Sequence, residues 1–384
     1  MARSINSKRT KQKITLIQNK RIPGYSYFLL CLIALAAGTL SCTSQPLSII
    51  GHNNPGLQYM GRIAHTDSAA ILYWPGSSVS VGFEGTEIQA LLKDEKGQNY
   101  YYIIIDSTDI SKFKPDSGLK KSYILVSHLR PGRHTLQLVK LTEAADGKTI
   151  FYNFSLQHGD SLLPPPAPLQ RKIEFYGNSI TCGYAVEDGY GDSKDPKYRN
   201  NYLSYAAITA HHYNAAAHYI AKSGIGLMVS WFHIIMPEMY DLLNPSDSTS
   251  KWDFSQFTPQ IVVINLLQND SWLVKMQNHK EFKARFGTTP PDETQIVNAY
   301  KSFMTTLRGK YPQASIICAL GSMDATKEGS PWPGYIEKAT AQLKDPNIYT
   351  CIFPYINTNR HPKIKEQQIM ADTLIHFIDT HIKW

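Results

Sequence analysis

A glycine, an asparagine and a serine directly follow a short apolar run in the segment Ile173-Glu174-Phe175-Tyr176-Gly177-Asn178-Ser179. Acyl transfer needs a hydroxyl at the end of a strand, close to backbone N–H donors, and a strand that runs into a glycine-containing turn supplies this. The segment is not a G-x-S-x-G turn, because Thr181 stands where that motif needs glycine. Taken alone, the tripeptide is also compatible with a serine that caps a turn or contacts a phosphate. Ser179 is therefore a candidate nucleophile that needs partners elsewhere in the chain.

Three later segments contain residues that could act with a nucleophilic serine. Gly224 lies in a turn after an apolar strand, where its backbone N–H could approach an oxyanion. Asn269 follows the most hydrophobic strand of the region, and its amide could donate to the same oxyanion. His361, just before Pro362, lies between the last strand and the last helix, where an imidazole could act as a base. Each also has an ordinary structural interpretation, namely a plain β-turn, a helix N-cap and a solvated loop histidine.

The first region that must position these residues is rich in short strands. Between residues 51 and 160 the sequence breaks into seven runs of β-branched and aromatic residues, separated by Gly, Asp, Lys and Ser. In Val79-Ser80-Val81-Gly82-Phe83 apolar residues alternate, as a half-buried strand requires. This pattern predicts an all-β sandwich. Four prolines in residues 161–170 then predict a stiff linker, because proline lacks the N–H donor and has a fixed φ.

The pattern changes in residues 171–384, where apolar strands alternate with segments of helical period. A continuous apolar run such as Ile261-Val262-Val263-Ile264 is typical of a parallel strand that helices cover on both faces. Functional groups in such a sheet cluster at the carboxyl ends of the strands. The sequence therefore predicts a second domain with a three-layer α/β fold, and the four candidate residues all lie in it.

The order of these motifs is similar to that of a known enzyme family. The motifs resemble, in the same order, the four sequence blocks of SGNH (GDSL) hydrolases: an early Gly-Asn-Ser, a glycine and an asparagine at strand ends, and a late His-Pro. Residues 177–184, Gly-Asn-Ser-Ile-Thr-Cys-Gly-Tyr, resemble carbohydrate esterase family 2. Residues 73–77, 83–86 and 102–106 resemble the jelly-roll domain of that family, so that the resemblance covers nearly all of residues 55–384. It implies a jelly-roll sandwich followed by an SGNH hydrolase domain.

The resemblance also implies an activity and roles for the candidate residues. The chain would be an acetyl xylan esterase-like O-acetyl esterase that acts on an acetylated polysaccharide or oligosaccharide through an acetyl-enzyme. Ser179 would be the nucleophile and His361 the base, while the N–H groups of Ser179 and Gly224 and the side chain of Asn269 would form the oxyanion hole. No cofactor is implied.

The third member of a catalytic triad is missing from its usual place. The family pattern puts an aspartate two or three residues before the histidine, where this chain has Asn359 and Thr358. Either a Ser–His dyad suffices, with a backbone carbonyl or Asn359 orienting His361, or the activity is reduced. Three tryptophans near the candidate loops could stack on sugar rings or could simply pack in the core: Trp231, Trp272 and Trp332.

The N-terminal segment 1–42 is typical of an export signal. Seven basic residues and no acidic one precede Cys42, and an apolar run extends from Tyr27 to Ala37. Leu40-Ser41-Cys42 resembles the end of a bacterial lipobox, which predicts a periplasmic or cell-surface lipoprotein with Cys42 lipidated. A cleaved secretory signal or a retained anchor are the alternatives. In either case the only membrane attachment that we expect is through this segment.

Charge and cysteine content argue against several other classes of protein. The net charge is +8, and subtracting the seven N-terminal basic residues leaves +1, so the remaining chain has no general electrostatic reason to bind nucleic acid. Cys182, Cys318 and Cys351 could form at most one disulfide, and no Cys or His cluster has the spacing of metal ligands, so we expect no metal site. Two functional alternatives stay open: a lipid or thioester acylhydrolase, and a surface glycan-binding protein without catalytic activity.

Overall fold

The structure is a computed structural model and describes residues 47–384. The predicted export segment 1–42, with Cys42, lies outside the described residues. Twelve strands form the first part of the described chain: β1 (Ser48–Gly51), β2 (Leu57–Met60), β3 (Ile63–His65), β4 (Ala70–Leu72), β5 (Ser78–Glu84), β6 (Ile88–Asp94), β7 (Tyr101–Ile105), β8 (Asp109–Phe113), β9 (Lys120–Val126), β10 (Arg133–Lys140), β11 (Thr149–Leu156) and β12 (Ser161–Leu162).

These strands form two six-stranded antiparallel sheets. One has the order β3-β4-β11-β6-β9 with β1 paired to β11, and the other has the order β12-β5-β10-β7-β8 with β2 paired to β5. The inward-facing residues alternate along the strands, as in β6, where every second residue is buried. Val79, Val81 and Phe83 of β5 belong to the core between the sheets. The predicted sandwich is therefore present, and it extends to β12, which includes the first two residues of the predicted linker.

The second part of the chain is built on five parallel strands, with helices between them. The strands are β13 (Arg171–Gly177), β14 (Ala215–Ala221), β15 (Ile261–Asn265), β16 (Ser315–Leu320) and β17 (Ile348–Ile352). The helices are α1 (Ser179–Cys182), α2 (Tyr205–His212), α3 (Met236–Met239), α4 (Gln268–Leu273), α5 (Lys280–Phe286), α6 (Glu293–Lys310), α7 (Trp332–Leu343) and α8 (Ile364–His381). Short 3₁₀ helices lie at Ala144–Asp146, Pro196–Tyr198, Asn201–Leu203, Phe254–Gln256 and Asp324–Thr326.

The sheet order places the candidate residues at one edge. The order is β14-β13-β15-β16-β17, so the chain winds outward in one direction to β14 and in the other direction through β15 to β17. Apolar residues of α2 and α8 cover one face of the sheet, and those of α6 and α7 cover the other, as the buried run of β15 predicts. Ligands of such sheets bind outside the carboxyl ends of the strands where the winding reverses, which here is between β13 and β15.

The sandwich and the α/β region share a buried polar contact. Arg62 of the sandwich is fully buried and its guanidinium donates to Oε1 of Glu174 in β13 at 3.0 Å. The hydroxyls of Tyr176 and Tyr311 donate to the other oxygen of Glu174 at 2.6 and 2.5 Å. Breaking such a buried ion pair by separating the two regions would strongly destabilise the fold, because it would leave an uncompensated charge in a dry environment. The two regions therefore have a specific relative orientation.

Three further features bear on the sequence predictions. Within residues 47–384, Cys182, Cys318 and Cys351 are buried free thiols, so the single disulfide that the sequence allowed is not formed there. The same residues contain no group of three or more His, Cys, Asp or Glu side chains that could hold a metal ion. None of the helices in this part of the chain is long and apolar enough to cross a membrane.

Candidate active site

Ser179 lies at the first residue of α1, directly beyond the carboxyl end of β13. Asn178 precedes it as the helix N-cap, and its Oδ1 accepts a hydrogen bond from the N–H of Ile180 at 3.0 Å. Gly177 must be glycine, since a Cβ there would lie 2.0 Å from Oγ1 of Thr181. The Gly-Asn-Ser segment is thus a tight strand-to-helix turn that holds the serine, of which only 7% is exposed, in a fixed position.

His361 is brought against this serine from the far end of the sequence. Its Nε2 lies 2.9 Å from Oγ of Ser179, within hydrogen-bond reach. The residue lies in the segment between β17 and α8, as the sequence placed it. The two side chains therefore have the geometry that a nucleophile and its base require.

Asp192 occupies the position of a third triad member. Its Oδ2 lies 2.9 Å from Nδ1 of His361, and the backbone N–H of His361 also donates to both carboxylate oxygens at 3.1 Å. The expectation that Asn359 or a backbone carbonyl orients His361 is therefore replaced: Asn359 is exposed, and the imidazole binds Asp192 instead. Sequence reasoning missed Asp192 because it lies 169 residues before the histidine, in a loop that resembles no motif.

Lys363 and His361 together keep Asp192 in its charged form. Burial alone would raise the pKa of Asp192, but hydrogen bonds from the side chain and backbone of His361 and from Lys363, with the electrostatic attraction to the imidazole, outweigh it and hold that pKa well below its usual range. Nζ of Lys363 donates to Oδ1 of Asp192 at 3.0 Å and to the carbonyls of Ala185 and Gly191 at 2.8 and 2.5 Å. Lys363 thus also ties the loop that carries Asp192 to the rest of the domain.

Gly224 and Asn269 lie beyond the carboxyl ends of the two strands that flank β13. Gly177 pairs with Ala221 of β14 on one side and with Asn265 of β15 on the other, so all three loops leave the same edge of the sheet. Gly224 has a φ of +84°, a conformation that favours glycine. Nδ2 of Asn269 donates to the carbonyl of Ile225 at 2.8 Å, which connects the two flanking loops.

Asp270 holds the loop after β14 through backbone hydrogen bonds. It is fully buried, and its carboxylate accepts hydrogen bonds from the backbone N–H groups of Leu227, Met228 and Val229 at distances from 2.7 to 3.1 Å. Burial raises the pKa of Asp270 despite these donors. Its contacts are those of a residue that pins the loop after β14.

The three tryptophans differ in their surroundings. Trp231 is 40% exposed, and its Nε1 donates to Oδ1 of Asn269 at 3.0 Å, so it lies beside the candidate oxyanion hole. Trp272 is half-buried, and its Nε1 is bound to the carboxylate of Asp324 at 2.7 and 2.9 Å. Trp332 is the first residue of α7, is only 4% exposed and packs in the core, so that of the two alternatives for this residue core packing is the one found. An indole that the core encloses has no face left for a sugar ring.

The chain is similar to known carbohydrate esterases along most of its length. Residues 59–166 match the family model described as "Carbohydrate esterase 2 N-terminal". A solved structure of a family two carbohydrate esterase from Clostridium thermocellum in complex with cellohexaose is 36% identical, with a TM-score of 0.74 over 85% of this chain and 98% of that one.

Two curated proteins are similar over a comparable part of the chain. The cellulase/esterase CelE of Acetivibrio thermocellus is 36% identical over 349 residues, which is 86% of this chain but only 40% of CelE. An acetylxylan esterase/glucomannan deacetylase of Cellvibrio japonicus is 25% identical over 344 residues, 87% of this chain and 91% of that protein. The chain therefore spans less than half of the first relative and nearly all of the second.

Proposed function

This chain belongs to carbohydrate esterase family 2 and is a carboxylic-ester hydrolase, and from that premise we propose that it removes O-acetyl groups from an acetylated polysaccharide. The observation that carries the proposal is the hydrogen-bonded arrangement of Ser179, His361 and Asp192. Nε2 of His361 lies 2.9 Å from Oγ of Ser179, and Nδ1 of the same ring lies 2.9 Å from Oδ2 of Asp192. A hydroxyl, an imidazole and a carboxylate in this order are the groups that nucleophilic ester cleavage requires.

Attack on the ester begins at Ser179. Nε2 of His361 accepts the proton of the hydroxyl as Oγ forms a bond to the acetyl carbonyl carbon. Asp192 holds Nδ1–H of the ring, which fixes the tautomer with Nε2 free and stabilises the imidazolium that forms. The lowered pKa of Asp192 suits this role, because it favours the ionised carboxylate, and a protonated carboxyl could not stabilise the cation.

The tetrahedral intermediate carries its negative charge on the former carbonyl oxygen. We propose that the N–H groups of Ser179 and Gly224 and the amide of Asn269 bind it, since all three lie beyond neighbouring strand ends. An amide nitrogen has two N–H groups, and one of those on Asn269 already donates to Ile225, which orients the other.

Collapse of the intermediate breaks the bond to the sugar oxygen, which takes the proton from His361 and leaves as a free hydroxyl. Water then attacks the acetyl-enzyme with His361 again as the base, and acetate is released with the Ser179 hydroxyl restored. The residues present suffice for both half-reactions, and the proposal needs no cofactor.

The polysaccharide is proposed from the relatives and from the exposed indole of Trp231. One relative is named an acetylxylan esterase and glucomannan deacetylase, and another was solved with cellohexaose. Trp231 beside Asn269 offers an apolar face to a sugar ring next to the reacting ester, and Trp272 offers a smaller one.

We further propose that the N-terminal sandwich is a jelly roll. The alternative of a non-catalytic glycan-binding protein loses its main support, because it rested on the missing acid that Asp192 supplies.

We also propose export of the chain through residues 1–42 with lipidation at Cys42, on the sequence evidence alone. Metabolic labelling with a fatty acid tests this proposal, because the label should be absent from the Cys42→Ala variant. A labelled Cys42→Ala protein would contradict it.

Acetate release from acetylated xylan, glucomannan and pectin by the wild-type protein and Ser179→Ala tests the activity. We expect release from at least one of these polysaccharides, and a loss of about 10⁴-fold or more in the variant. Acetyl and long-chain nitrophenyl esters, compared in the same assay, test the acylhydrolase alternative. A preference for long chains, or full activity of Ser179→Ala, would overturn the proposal.

A further inference from the structure

The sandwich contributes a buried carboxylate to the surroundings of the active site. Glu143 follows β10, is only 2% exposed, and its Oε2 accepts a hydrogen bond from the backbone N–H of Ser223 at 2.7 Å. Ser223 directly precedes Gly224. The Sγ of Cys182 lies 3.9 Å from the same oxygen, three residues after Ser179. A side chain of the sandwich thus touches both the turn of Gly224 and the helix that begins at the nucleophile.

The peptide unit that carries the Gly224 N–H is fixed on both sides. On its far side the carbonyl of Gly224 accepts from the N–H of Trp231 at 3.1 Å, and the N–H of Ile225 donates to the carbonyl of Lys222 at 3.2 Å. On its near side the bond from Ser223 to Glu143 is the constraint. Within residues 47–384 the N–H of Gly224 itself has no hydrogen-bond partner. The turn that contains Gly224 is therefore fixed by its neighbouring hydrogen bonds, while the N–H of Gly224 is available to a ligand.

The charge of Glu143 is balanced locally, which allows it to stay buried. NH1 of Arg199 lies 3.6 Å from Oε1 of Glu143 and also pairs with Asp146. Nζ of Lys140, fully buried, donates to the carbonyls of Thr142 and Glu143 at 2.8 and 3.1 Å. Two cations and two carboxylates thus lie together, so that Glu143 adds little net negative charge near an oxyanion.

Arg199 extends the same contact to the other side of the site. Its guanidinium lies over the ring of Tyr184 at 5.0 Å, and that ring is 4.8 Å from the ring of His361. The segment of the sandwich from Lys140 to Asp146 therefore supports both the turn of Gly224 and the ring that packs on the imidazole.

Resting on the proposed oxyanion role of Gly224, we propose that Glu143 is a positioning residue: through Ser223 it aims the Gly224 N–H at the developing oxyanion. The sandwich is then part of the catalytic apparatus as well as a neighbouring domain. Since this donor acts mainly in the transition state, its displacement lowers kcat and leaves KM nearly unchanged.

Steady-state kinetics of Glu143→Ala and Glu143→Gln on an acetyl ester test the proposal. We expect kcat of Glu143→Ala to fall by about 10- to 100-fold, with KM within about threefold of wild type, because a displaced donor costs somewhat less than a deleted one. Glu143→Gln keeps an oxygen that can accept from Ser223 and should recover most of kcat. Inhibition by methylboronic acid, which forms a tetrahedral adduct with the serine, should weaken in Glu143→Ala alone.

Asp94→Ala is the matched control, because it removes a fully buried carboxylate of the sandwich that binds Asn99 and Thr149 and has no contact with Ser223 or Arg199. Thermal unfolding of each variant identifies a temperature at which all are folded, and the kinetics are measured there. We expect Asp94→Ala to lower the midpoint of unfolding with kcat within about twofold of wild type. An unchanged kcat in folded Glu143→Ala, or an equal loss in Asp94→Ala, would overturn the inference. Activity in Ser179→Ala would instead overturn the proposed function, so the two failures are distinguishable.

Discussion

At the scale of single residues, the site depends on an acid that no local pattern indicates. Asp192 binds Nδ1 and the backbone N–H of His361, and Lys363 holds its other oxygen. The carboxylate therefore fixes the position of the histidine as well as its tautomer. The hydrogen bonds from His361 and Lys363 hold the pKa of Asp192 well below its usual range, which favours the ionised carboxylate that this role needs.

Replacement of Asp192 by asparagine should lower kcat by about 10²- to 10⁴-fold. The amide is close in shape, but it cannot stabilise the imidazolium and it can donate to Nδ1, which favours the wrong tautomer. Acetate release under saturating substrate measures the effect. Asn359→Ala is the control, since Asn359 is exposed and stands in the position where a family pattern would put the acid. A larger loss in Asn359→Ala than in Asp192→Asn would contradict the assignment.

At the scale of elements, the loop after β14 is held in place by one buried side chain. Asp270, in α4, accepts the N–H groups of three consecutive residues from Leu227 to Val229. A Cβ at Gly226 would lie 2.7 Å from the same carboxylate, so the loop packs directly on it. The turn that presents Gly224 is thus attached at one end to the sandwich and at the other to α4.

Asp270→Ala should lower the free energy of unfolding by about 3–5 kcal/mol, since it leaves several buried N–H groups without an acceptor. The activity of the folded variant should also fall, because the turn with Gly224 is no longer held. Urea denaturation measures the first effect and acetyl-ester kinetics the second. Asp247→Ala removes an exposed carboxylate that caps its own turn and should change neither. An Asp270→Ala protein as stable as wild type would show that the loop does not depend on this residue.

At the scale of the whole molecule, the two regions are joined through Glu174 at the centre of the parallel sheet. Burial alone would raise the pKa of Glu174, but the charge of Arg62, with hydrogen bonds from neighbouring side chains, lowers it to about 2. A carboxyl whose pKa is lower in the folded state stabilises the fold above its ordinary pKa. That contribution is lost as the pH falls through the folded value.

The free energy of unfolding should therefore decrease as the pH falls from about 4.5 toward 2, and Glu174→Gln should reduce this dependence. At neutral pH the same variant should be less stable by about 3–5 kcal/mol, because Arg62 stays buried without its counterion. Glu293→Gln, which breaks an ion pair with Lys338 that is half exposed, is the control and should leave the pH profile unchanged. Chemical denaturation at a series of pH values measures the free energy of unfolding of wild type and both variants. The same pH dependence of this free energy in all three proteins would contradict the prediction.

The sequence by itself determined the kinds of elements and the order of the motifs. Three patterns could be recognised from adjacent residues alone: the alternating apolar residues in β5, the continuous apolar run of β15 and the Gly-Asn-Ser turn. Each follows from a local requirement of the backbone and does not depend on contacts with distant parts of the chain. The same local logic, with the order of the blocks, led to Ser179 and His361, which the structure brings together. The domain boundaries and the lipidation of Cys42 stay predictions.

Only the tertiary structure decided which distant side chains meet. Asp192 reaches His361, Glu143 reaches Ser223, and Trp332 is enclosed in the core, although nothing in the residues beside them indicates it. Such contacts follow from how the strands are ordered and how the sandwich packs on the sheet, and these depend on the summed burial of many residues far apart in the chain. A loop aspartate has the same local sequence whether it faces solvent or an imidazole, because the partner that gives it a role comes from another part of the fold.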